Sequence, residues 1–534
     1  MKLRTVLLAG AVFALAAPAH ADDDAVMKRL DKMQKMIEAQ QHQIATQNAE
    51  IGELRRALGK KGRKVEMTAA AEPAPAAAPA PVEARLAKQQ AQIDQLAQAL
   101  DNTDTAVKLD KQDRPVWSFA NGRPTVTSPD GRFSLSLRLL GQFDAAYYMQ
   151  SNSARILPNG PDLSSGANFR RAQIGFQGKL FGDWSYFFNT EFGGSGGTEG
   201  AGRVQSLYIE YDGLHPFALR VGAYPPPGGL EDNTSSADTI FLERAGPSDV
   251  MRNTVGGDGR DAVSLIYAGD SFFAAASLTG GKVADPATFD DQNAVLARVS
   301  DSLYSDSDSR LVLSASGAYV FKVADSSPIV AAPHTFSFSA SPELTVDSSG
   351  SKLIATPAID AKHIGIYGVE AGWQWQSFYA QGGYFHYTID PRLAGLADQN
   401  FDGWYAQATF VLTGESRGYS SANGAFTSPK PRVPFSLDGG GWGAWEMAAR
   451  YDDTDFNDDP GAAGSATPPN GVRGGDQRIF TLGLNWYPNS VLRFAFDWQT
   501  VDVNRLGSIV APPLSNVQIG QHYNVVSMRS QISL

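Results

Sequence analysis

The residue types that could support catalysis do not form a recognisable catalytic motif in this sequence. Its 534 residues contain seven histidines and no cysteine, and the histidines show neither an H-E-x-x-H pattern nor a close Ser/His pattern. The lack of cysteine excludes disulfide scaffolds, thiolate zinc sites, iron–sulfur clusters and cysteine nucleophiles. His386 lies in an aromatic segment with strand character and is better interpreted as a residue that faces the interior or the rim of a β-barrel than as a catalytic base. We therefore predict that the protein is not an enzyme and uses no cofactor.

One acidic segment has the spacing of a calcium-ligand set. Oxygen-bearing side chains alternate in Asp453-x-Asp455-x-Asn457-x-Asp459. The segment lacks both the turn glycine and the distal glutamate of an EF-hand loop. We interpret it as a solvated loop and predict no metal site.

With catalysis and metal binding disfavoured, the charged side chains could still select solutes by charge. Whether they do depends on which face of a strand they occupy. Arg220 alternates with Leu219 and Val221, so it lies on the polar face of a strand. We predict that it faces water inside a barrel, with a structural ion pair as the alternative. The formal net charge of −11 argues against a general nucleic-acid binder, which needs a basic face.

The N-terminal region predicts export and then a stalk. Residues 1–21 combine two positive charges, a short apolar run and an A-x-A site, which indicates a signal peptide rather than a membrane anchor. Residues 22–58 have apolar side chains at alternating spacings of three and four, namely Leu30, Met33, Ile37, Ile44, Ile51, Leu54 and Leu58. Such a seam favours a coiled coil with partner helices over one helix packed on its own domain. An Ala/Pro-rich linker at 59–84 and a short second helix at 85–113 follow.

From residue 114 to residue 534 the apolar period changes from seven to two. Phe133, Leu135 and Leu137 alternate with Ser134 and Ser136. No apolar run after residue 21 is long enough for a membrane-spanning helix. A soluble sandwich would also alternate, so the pattern alone leaves that alternative open.

Two features favour a barrel in lipid. Short turns such as 181–184, 268–271 and 487–490 lie between long polar stretches such as 151–168, 193–202 and 451–477, and outer-membrane barrels show this alternation. Aromatic residues also crowd the strand ends, where the rings prefer the headgroup level. We predict an all-β fold, a transmembrane antiparallel β-barrel of about sixteen strands, preceded by the α-helical coiled-coil segment.

Several stretches resemble the phosphate-selective porin O and P family of Gram-negative outer membranes. They are FRRAQIGFQGKLFGDWSYFFNTEFGG at 169–194, LYIEYDGLHPFALRVGAY at 207–224, GGLEDNTSSADTIFLER at 228–244, YAQATFVLTGESRGY at 405–419, GAWEMAARYD at 443–452 and TLGLNWYPN at 481–489. The resemblance implies a homotrimer of sixteen-stranded barrels, each with an inward-folded third loop that narrows the pore. It also implies passive diffusion of small hydrophilic solutes and ions.

The resemblance carries over to the pore residues only in part. The family's strand-two arginine pair is present as Arg170 and Arg171, whereas the first-strand arginine matches Leu140, with Arg138 on the same face two residues earlier. The lysine that follows a GLE tripeptide is replaced by Asp232, a carboxylate that would repel an anion. We therefore expect weak or mixed selectivity, with a phosphate- or polyphosphate-selective channel as the alternative.

The local pattern makes further predictions about these candidates. A regular strand sends one of two adjacent arginines into the lumen and the other outward, where it can bind lipopolysaccharide phosphate. Glu231 and Asp232 could face the arginines across the pore or pack the loop, and Arg244 could contact solute or pair with Glu243. The predicted pore-lining set is Arg138, Arg170, Arg171, Arg220, Glu231, Asp232 and Arg244.

The expected partners follow from this architecture. They are outer-membrane lipid and lipopolysaccharide, two further copies of the chain, small solutes or anions, and peptidoglycan reached through a periplasmic coiled coil. A competing function is that of a structural barrel tethered to the cell wall through that coiled coil.

Overall fold

The computed structural model describes most of the predicted barrel region. The described residues are 88, 90–102, 114–119, 122–150, 163–194, 202–283, 289–327, 333–347, 352–463, 465–506 and 518–534. The predicted signal peptide, coiled coil and Ala/Pro linker lie outside them. Helix α1 (90–102) lies within the segment predicted as a second helix. Neither α1 nor the other helix of the described residues is long and apolar enough to cross a membrane.

Sixteen long strands form one closed antiparallel sheet. They are β1 (Ser134–Gln150), β2 (Gly166–Leu180), β3 (Trp184–Glu191), β4 (Arg203–Leu214), β5 (Phe217–Ala223), β6 (Arg260–Ala268), β7 (Phe272–Lys282), β8 (Asn293–Ser305), β9 (Ser309–Lys322), β10 (Ile359–Trp375), β11 (Phe378–Pro391), β12 (Gln399–Val411), β13 (Ala444–Asp458), β14 (Val472–Tyr487), β15 (Leu492–Leu506) and β16 (Gln518–Ser533). Each strand pairs with the next, and β16 closes on β1, with Tyr523 opposite Gln150 and Ser533 opposite Leu140. The predicted β-barrel of about sixteen strands is confirmed.

Alternation along the strands gives the barrel an apolar outside and a polar inside. In β8, Val295 and Val299 are exposed on the outer face, while Arg298 and Ser300 are buried on the inner face. A closed ladder gives the backbone groups partners within the sheet, as a lipid environment requires. The inner face therefore carries the charged groups.

The connections differ at the two ends of the barrel, which we call the turn side and the mouth. Six of the turn-side connections are short, at 181–183, 215–216, 269–271, 306–308, 376–377 and 488–491, and a seventh, 412–443, is long. In outer-membrane barrels the short turns face the periplasm. The predicted polar stretch 451–477 is wrong in its bounds, because β13 and β14 continue the ladder so that only 459–471 connects them.

Three long connections have buried residues that contact the inner face of the wall. The constriction loop (224–259) contains turns and helix α2 (Gly246–Val255). The inner mouth loop (323–358) carries the paired strands Ser339–Ala340 and Ile354–Ala355. The turn-side insert (412–443) carries a small hairpin, Gly418–Ser420 with Ala425–Thr427. The sequence predicted only the first of these.

Candidate functional site: a channel beside the constriction loop

Buried arginines of the wall hold the constriction loop through its carbonyl groups. Arg493 donates to the carbonyl oxygens of Thr239 at 2.5 Å and Ile240 at 2.6 Å. Arg529 donates to the carbonyl oxygen of Leu242 at 2.6 Å. A loop inside a barrel has no neighbouring strand to satisfy its backbone, so side chains must supply the donors. These contacts fix the loop against β15 and β16.

A carboxylate holds the beginning of the same loop. Glu370 on β10 accepts hydrogen bonds from the backbone amides of Leu230 and Glu231, and from the Tyr405 hydroxyl at 2.7 Å. Its side chain thus pairs loop donors that would otherwise be buried without partners. The loop is therefore held by a hydrogen-bond acceptor on β10 and by hydrogen-bond donors on β15 and β16.

The turn-side insert and the constriction loop hold each other. Arg417 in the insert forms a buried ion pair with Glu446 at 2.8 Å and donates to the carbonyl oxygen of Asp238 at 2.6 Å. The Asp238 carboxylate accepts from the backbone amide of Ser428 at 3.1 Å. The two segments therefore form one packed body within the lumen.

Two cavities remain open beside this body. The mouth cavity, about 380 Å³, has inner-mouth-loop residues such as Glu343 in its lining. The turn-side cavity, about 220 Å³, has Asn423 of the insert in its lining. The turn-side cavity is bounded by strands β1 to β7 and the mouth cavity by β2, β3, β4 and β7. Both include Gln205, Arg244, Arg252 and Asp258 in their linings. A solute path from mouth to turn side would pass these four shared residues.

Arg170 and Arg171 both line the mouth cavity. The ladder between β1 and β2 shifts here, with Gln142 opposite Arg171 and Phe143 opposite Phe169, so Arg170 is an extra residue. A β-bulge of this kind turns a side chain away from strict alternation. The prediction that one arginine faces outward is therefore wrong, because it assumed a regular strand.

Arg170 and Glu243 form a bidentate ion pair. The distances are 2.5 Å from Nε to Oε1 and 3.0 Å from Nη2 to Oε2. Burial alone would raise the pKa of Glu243, but Arg170 and then Arg171 hold it well below its ordinary value. Glu243 is also 3.2 Å from Arg529. The ion pairs that fix the loop to the wall are therefore formed by Glu243 with Arg170 and Arg529, and not by Arg244.

Asp232 lies in the turn-side cavity, but its charge is compensated. Arg252 of α2 contacts Asp232 at 2.5 Å and Asp258 at 2.8 Å. The expected repulsion of anions by Asp232 is therefore reduced, because a guanidinium group lies between the two carboxylates.

Glu231 lines neither cavity in the described residues. Its side chain is buried, accepts from the amide of Ala245 at 3.2 Å and lies 3.7 Å from Arg450. The prediction of Glu231 as a pore-lining residue is corrected accordingly: the backbone of Glu231 is held by Glu370, and its carboxylate points into the packed side of the loop.

Arg138 and Arg220 line the turn-side cavity at the two ends of an aromatic stack. The Arg138 guanidinium lies 5.0 Å from the Phe187 ring, Phe187 stacks on Tyr208 at 5.2 Å, and Arg220 lies 4.5 Å from Tyr208. Arg220 also pairs with Glu210 at 2.7 Å. Arg220 therefore combines the two predicted roles, pore lining and ion pairing.

Arg171 and Arg244 are cations with neutral hydrogen-bond partners. Arg171 donates to the Gln142 side chain at 2.8 Å, and Arg244 donates to the carbonyl oxygens of Asp232 at 3.3 Å and Thr234 at 2.7 Å. Within the described residues, the Nε atom of each is buried without a hydrogen-bond partner. Burial, followed by the nearby Arg252, lowers the pKa of Arg244. Neither arginine forms a salt bridge with a carboxylate of the described residues, unlike Arg170, Arg220 and Arg252.

The lining of the two cavities is basic overall. Nine cationic side chains contribute to it: Arg138, Arg170, Arg171, Arg203, Arg220, Arg244, Arg252, Lys282 and Lys352. Six carboxylates contribute: Glu191, Asp232, Glu243, Asp249, Asp258 and Glu343. Sequence reasoning missed Arg203, Arg252, Asp258, Lys282 and Lys352. Tertiary folding of the loops brings Arg252, Asp258 and Lys352 to the path, whereas Arg203 and Lys282 lie at the mouth ends of β4 and β7.

Comparison with known proteins agrees with this architecture. The family model for phosphate-selective porin O and P matches residues 150–533. Porin O of Pseudomonas aeruginosa is 27% identical over 385 residues, covering 69% of this chain and 83% of that protein. An uncharacterized protein of Caulobacter vibrioides is 25% identical over 511 residues, covering 93% of this chain and 90% of the other.

A solved structure, the trimer form of OmpT from Vibrio cholerae, aligns with a TM-score of 0.44 and 11% identity. The alignment covers 75% of this chain and 99% of that one. The family match extends over most of the barrel, from the end of β1 to the end of β16. The chain belongs to the phosphate-selective porin O and P family and is an outer-membrane channel protein rather than an enzyme.

Proposed function

We propose that this channel prefers small anions and lets them diffuse passively, with modest rather than strict selectivity. The observation that carries the proposal is the presence of Arg171 and Arg244 on the path without carboxylate partners within the described residues. Arg171 lines the mouth cavity, and Arg244 lines both cavities. A passing anion would meet two cations that form no salt bridge with a carboxylate of the described residues.

The net charge of the whole chain does not set this preference. The chain has a formal charge of −11, but charges on distant loops are screened over about 8 Å at physiological salt. Side chains of the cavity walls lie within that distance of a passing ion. Their excess of cations over carboxylates therefore favours anions, in contrast to the mixed selectivity expected from sequence.

The preference is proposed to be modest because several cations are already paired. Arg170 with Glu243, Arg220 with Glu210, and Arg252 with its two aspartates each cancel much of their charge. A site built for tight phosphate binding would leave more donors free. The family and one relative carry names that refer to phosphate and to porin function, and these names support an anion rather than a cation as solute.

Single-channel recording of substituted channels tests this proposal. The double variant Arg171→Gln/Arg244→Gln keeps a polar side chain with an N–H donor, although a shorter one, and removes both charges. We expect its chloride-to-potassium permeability ratio to fall clearly below that of the unaltered channel. Arg478→Gln is the matched control, because Arg478 is exposed on the outer face next to Asp453. Equal ratios in all three channels would contradict the proposal.

We further propose that the channel is a homotrimer whose heptad segments at 22–58 associate as a periplasmic stalk and reach the peptidoglycan. The heptad spacing supports this, since one helix cannot bury such a seam alone. Removing residues 22–84 of the full chain tests it. Loss of sedimentation with the cell wall is expected, and unchanged wall association would count against the proposed tether.

A further inference from the structure

One part of the turn-side insert carries apolar side chains that no other described residue covers. Val433, Leu437 and Trp442 are 55%, 90% and 75% exposed. They belong to the stretch Val433–Trp442, which we call the rim loop. Most of the insert's hairpin, by contrast, packs within the lumen, where Phe426 is buried against Tyr379. The insert therefore has an inner part and an exposed apolar part.

The rim loop is closed by its own backbone. The amide of Ser436 donates to the Gly441 carbonyl at 3.2 Å, and the amide of Gly441 donates to the Pro434 carbonyl at 3.1 Å. The amide of Phe435 also donates to the Pro488 carbonyl in the neighbouring turn at 2.8 Å. These bonds give the loop a defined shape, with Leu437 near its tip and Trp442 at its end.

The rim loop is continuous with the lipid-facing aromatic residues of the barrel. Phe435 packs edge-on against Trp486 at 5.3 Å. The Trp442 carbonyl accepts from the indole of Trp445 at 3.2 Å and from that of Trp486 at 2.9 Å. Trp445 and Met447 share one face of β13, and Met447 is an exposed apolar residue of the barrel's outer surface. The loop thus extends the outer apolar surface at the turn side.

We propose that the rim loop binds phospholipid of the periplasmic leaflet, with Leu437 and Trp442 inserted at the boundary between headgroups and acyl chains. An indole ring is suited to that level, because its ring is apolar and its edge is wet. Lipid can cover exposed apolar groups that lie next to the lipid-facing belt without any rearrangement of the protein. In water the same groups would favour aggregation. Arg432, exposed at the start of the loop, suits a phosphate headgroup.

The lack of cysteine in the chain makes a clean labelling experiment possible. Leu437→Cys in the full chain is labelled with an environment-sensitive fluorophore and reconstituted into phosphatidylcholine–phosphatidylglycerol vesicles. Asp270→Cys, in the exposed polar turn between β6 and β7, is the matched control on the same side of the barrel. We expect the Leu437 label to be about fivefold less accessible to aqueous iodide than the control, since an inserted apolar residue lies below the headgroups. Nitroxide lipids should quench it more strongly.

Two outcomes would overturn the proposal. Equal iodide quenching of the two labels would place the loop in water. Self-quenching between labels on different copies, without quenching by nitroxide lipids, would place it at a contact between protomers. A second variant, Leu437→Ser/Trp442→Ser, separates folding from lipid contact. Its single-channel conductance should be unchanged, while its insertion into vesicles from urea should slow severalfold relative to the Asp270→Ser control.

Discussion

Arg170 and Arg171 face the same side of β2 although they are adjacent in the chain. The bulge at Arg170 places its guanidinium against Glu243 of the constriction loop. Among the described residues, Arg171 hydrogen-bonds the neutral Gln142. One arginine of the pair therefore holds the loop, and the other keeps its charge available to the path. This division of roles leads to separate expectations for the loop and for ion selectivity.

Removing the Glu243 charge should strengthen anion preference. In Glu243→Gln, Arg170 loses its carboxylate partner, so one more cation of the cavity lining acts on passing ions. Arg529 keeps its ion pair with Asp144 at 2.6 Å. We expect the chloride-to-potassium permeability ratio to rise about twofold, measured from reversal potentials in a salt gradient. Asp453→Asn, which removes a carboxylate from the outer face, is the control. An unchanged or lower ratio in Glu243→Gln would show that the pair does not influence the path.

Removing the Arg252 charge should act in the opposite direction. Arg252→Met leaves Asp232 and Asp258 without their shared partner, so the path gains net negative charge. We expect a shift toward potassium permeability and a loss of about 3–5 kcal/mol in stability, the range for a broken buried pair. The double variant Arg252→Met/Asp232→Asn should recover part of the lost anion preference and part of the lost stability. If the double variant recovers neither, the changes in Arg252→Met are not caused by the unpaired Asp232 carboxylate.

The stability of the constriction loop should depend on pH through Glu231. Burial raises the pKa of Glu231 from 4.5 to about 7, with Glu370 and Glu343 adding to the shift and Arg450 opposing it. Because the folded state binds the proton more tightly, the stabilisation is present below pH 4.5 and is lost as the pH rises through about 7. The full effect is about 3 kcal/mol. Thermal unfolding midpoints of the purified barrel should fall between pH 4.5 and pH 8, and Glu231→Gln should flatten that dependence. If the unfolding midpoint of Glu231→Gln falls with pH as steeply as that of the unaltered protein, the pH dependence arises from other groups.

Arg298 should control how firmly the turn-side insert narrows the channel. It donates to the carbonyl oxygens of Asn423 at 3.3 Å and Gly424 at 2.5 Å, and Asn423 lines the turn-side cavity. In Arg298→Met the insert loses charged hydrogen bonds worth about 1.5–3 kcal/mol each. We expect higher conductance and more current noise. Arg310→Met is the control, since Arg310 lies over the Tyr419 ring of the hairpin and, within the described residues, donates its hydrogen bond to Ser302 rather than to the hairpin tip. Equal conductance of Arg298→Met and the unaltered channel would show that the tip is held by other contacts.

The barrel could be predicted from sequence because its determinants are local. Alternation along a strand such as β8, with Val295 and Val299 outside and Arg298 inside, is visible in the residues themselves. The short turns and the aromatic strand ends are local as well. The resemblance to the family was also carried by continuous stretches and is confirmed by the match over residues 150–533.

The interior of the barrel could not be predicted in the same way. Arg298 reaches Gly424 across 126 positions in sequence, and Arg493 reaches Ile240 across 253. Such contacts leave no periodic signal, so the inward packing of the inner mouth loop and the turn-side insert was missed. The bulge at Arg170 adds one residue to one strand, and periodicity cannot reveal that without the partner strand. Asp232 was interpreted by its charge alone because its partner, Arg252, lies in a different part of the loop.

The reversal potential of the unaltered channel tests the central claim most directly. In a planar bilayer with a tenfold potassium chloride gradient, the basic lining of the path predicts a zero-current potential with the sign set by chloride. A potential with the sign set by potassium, or the absence of conductance steps altogether, would contradict the account.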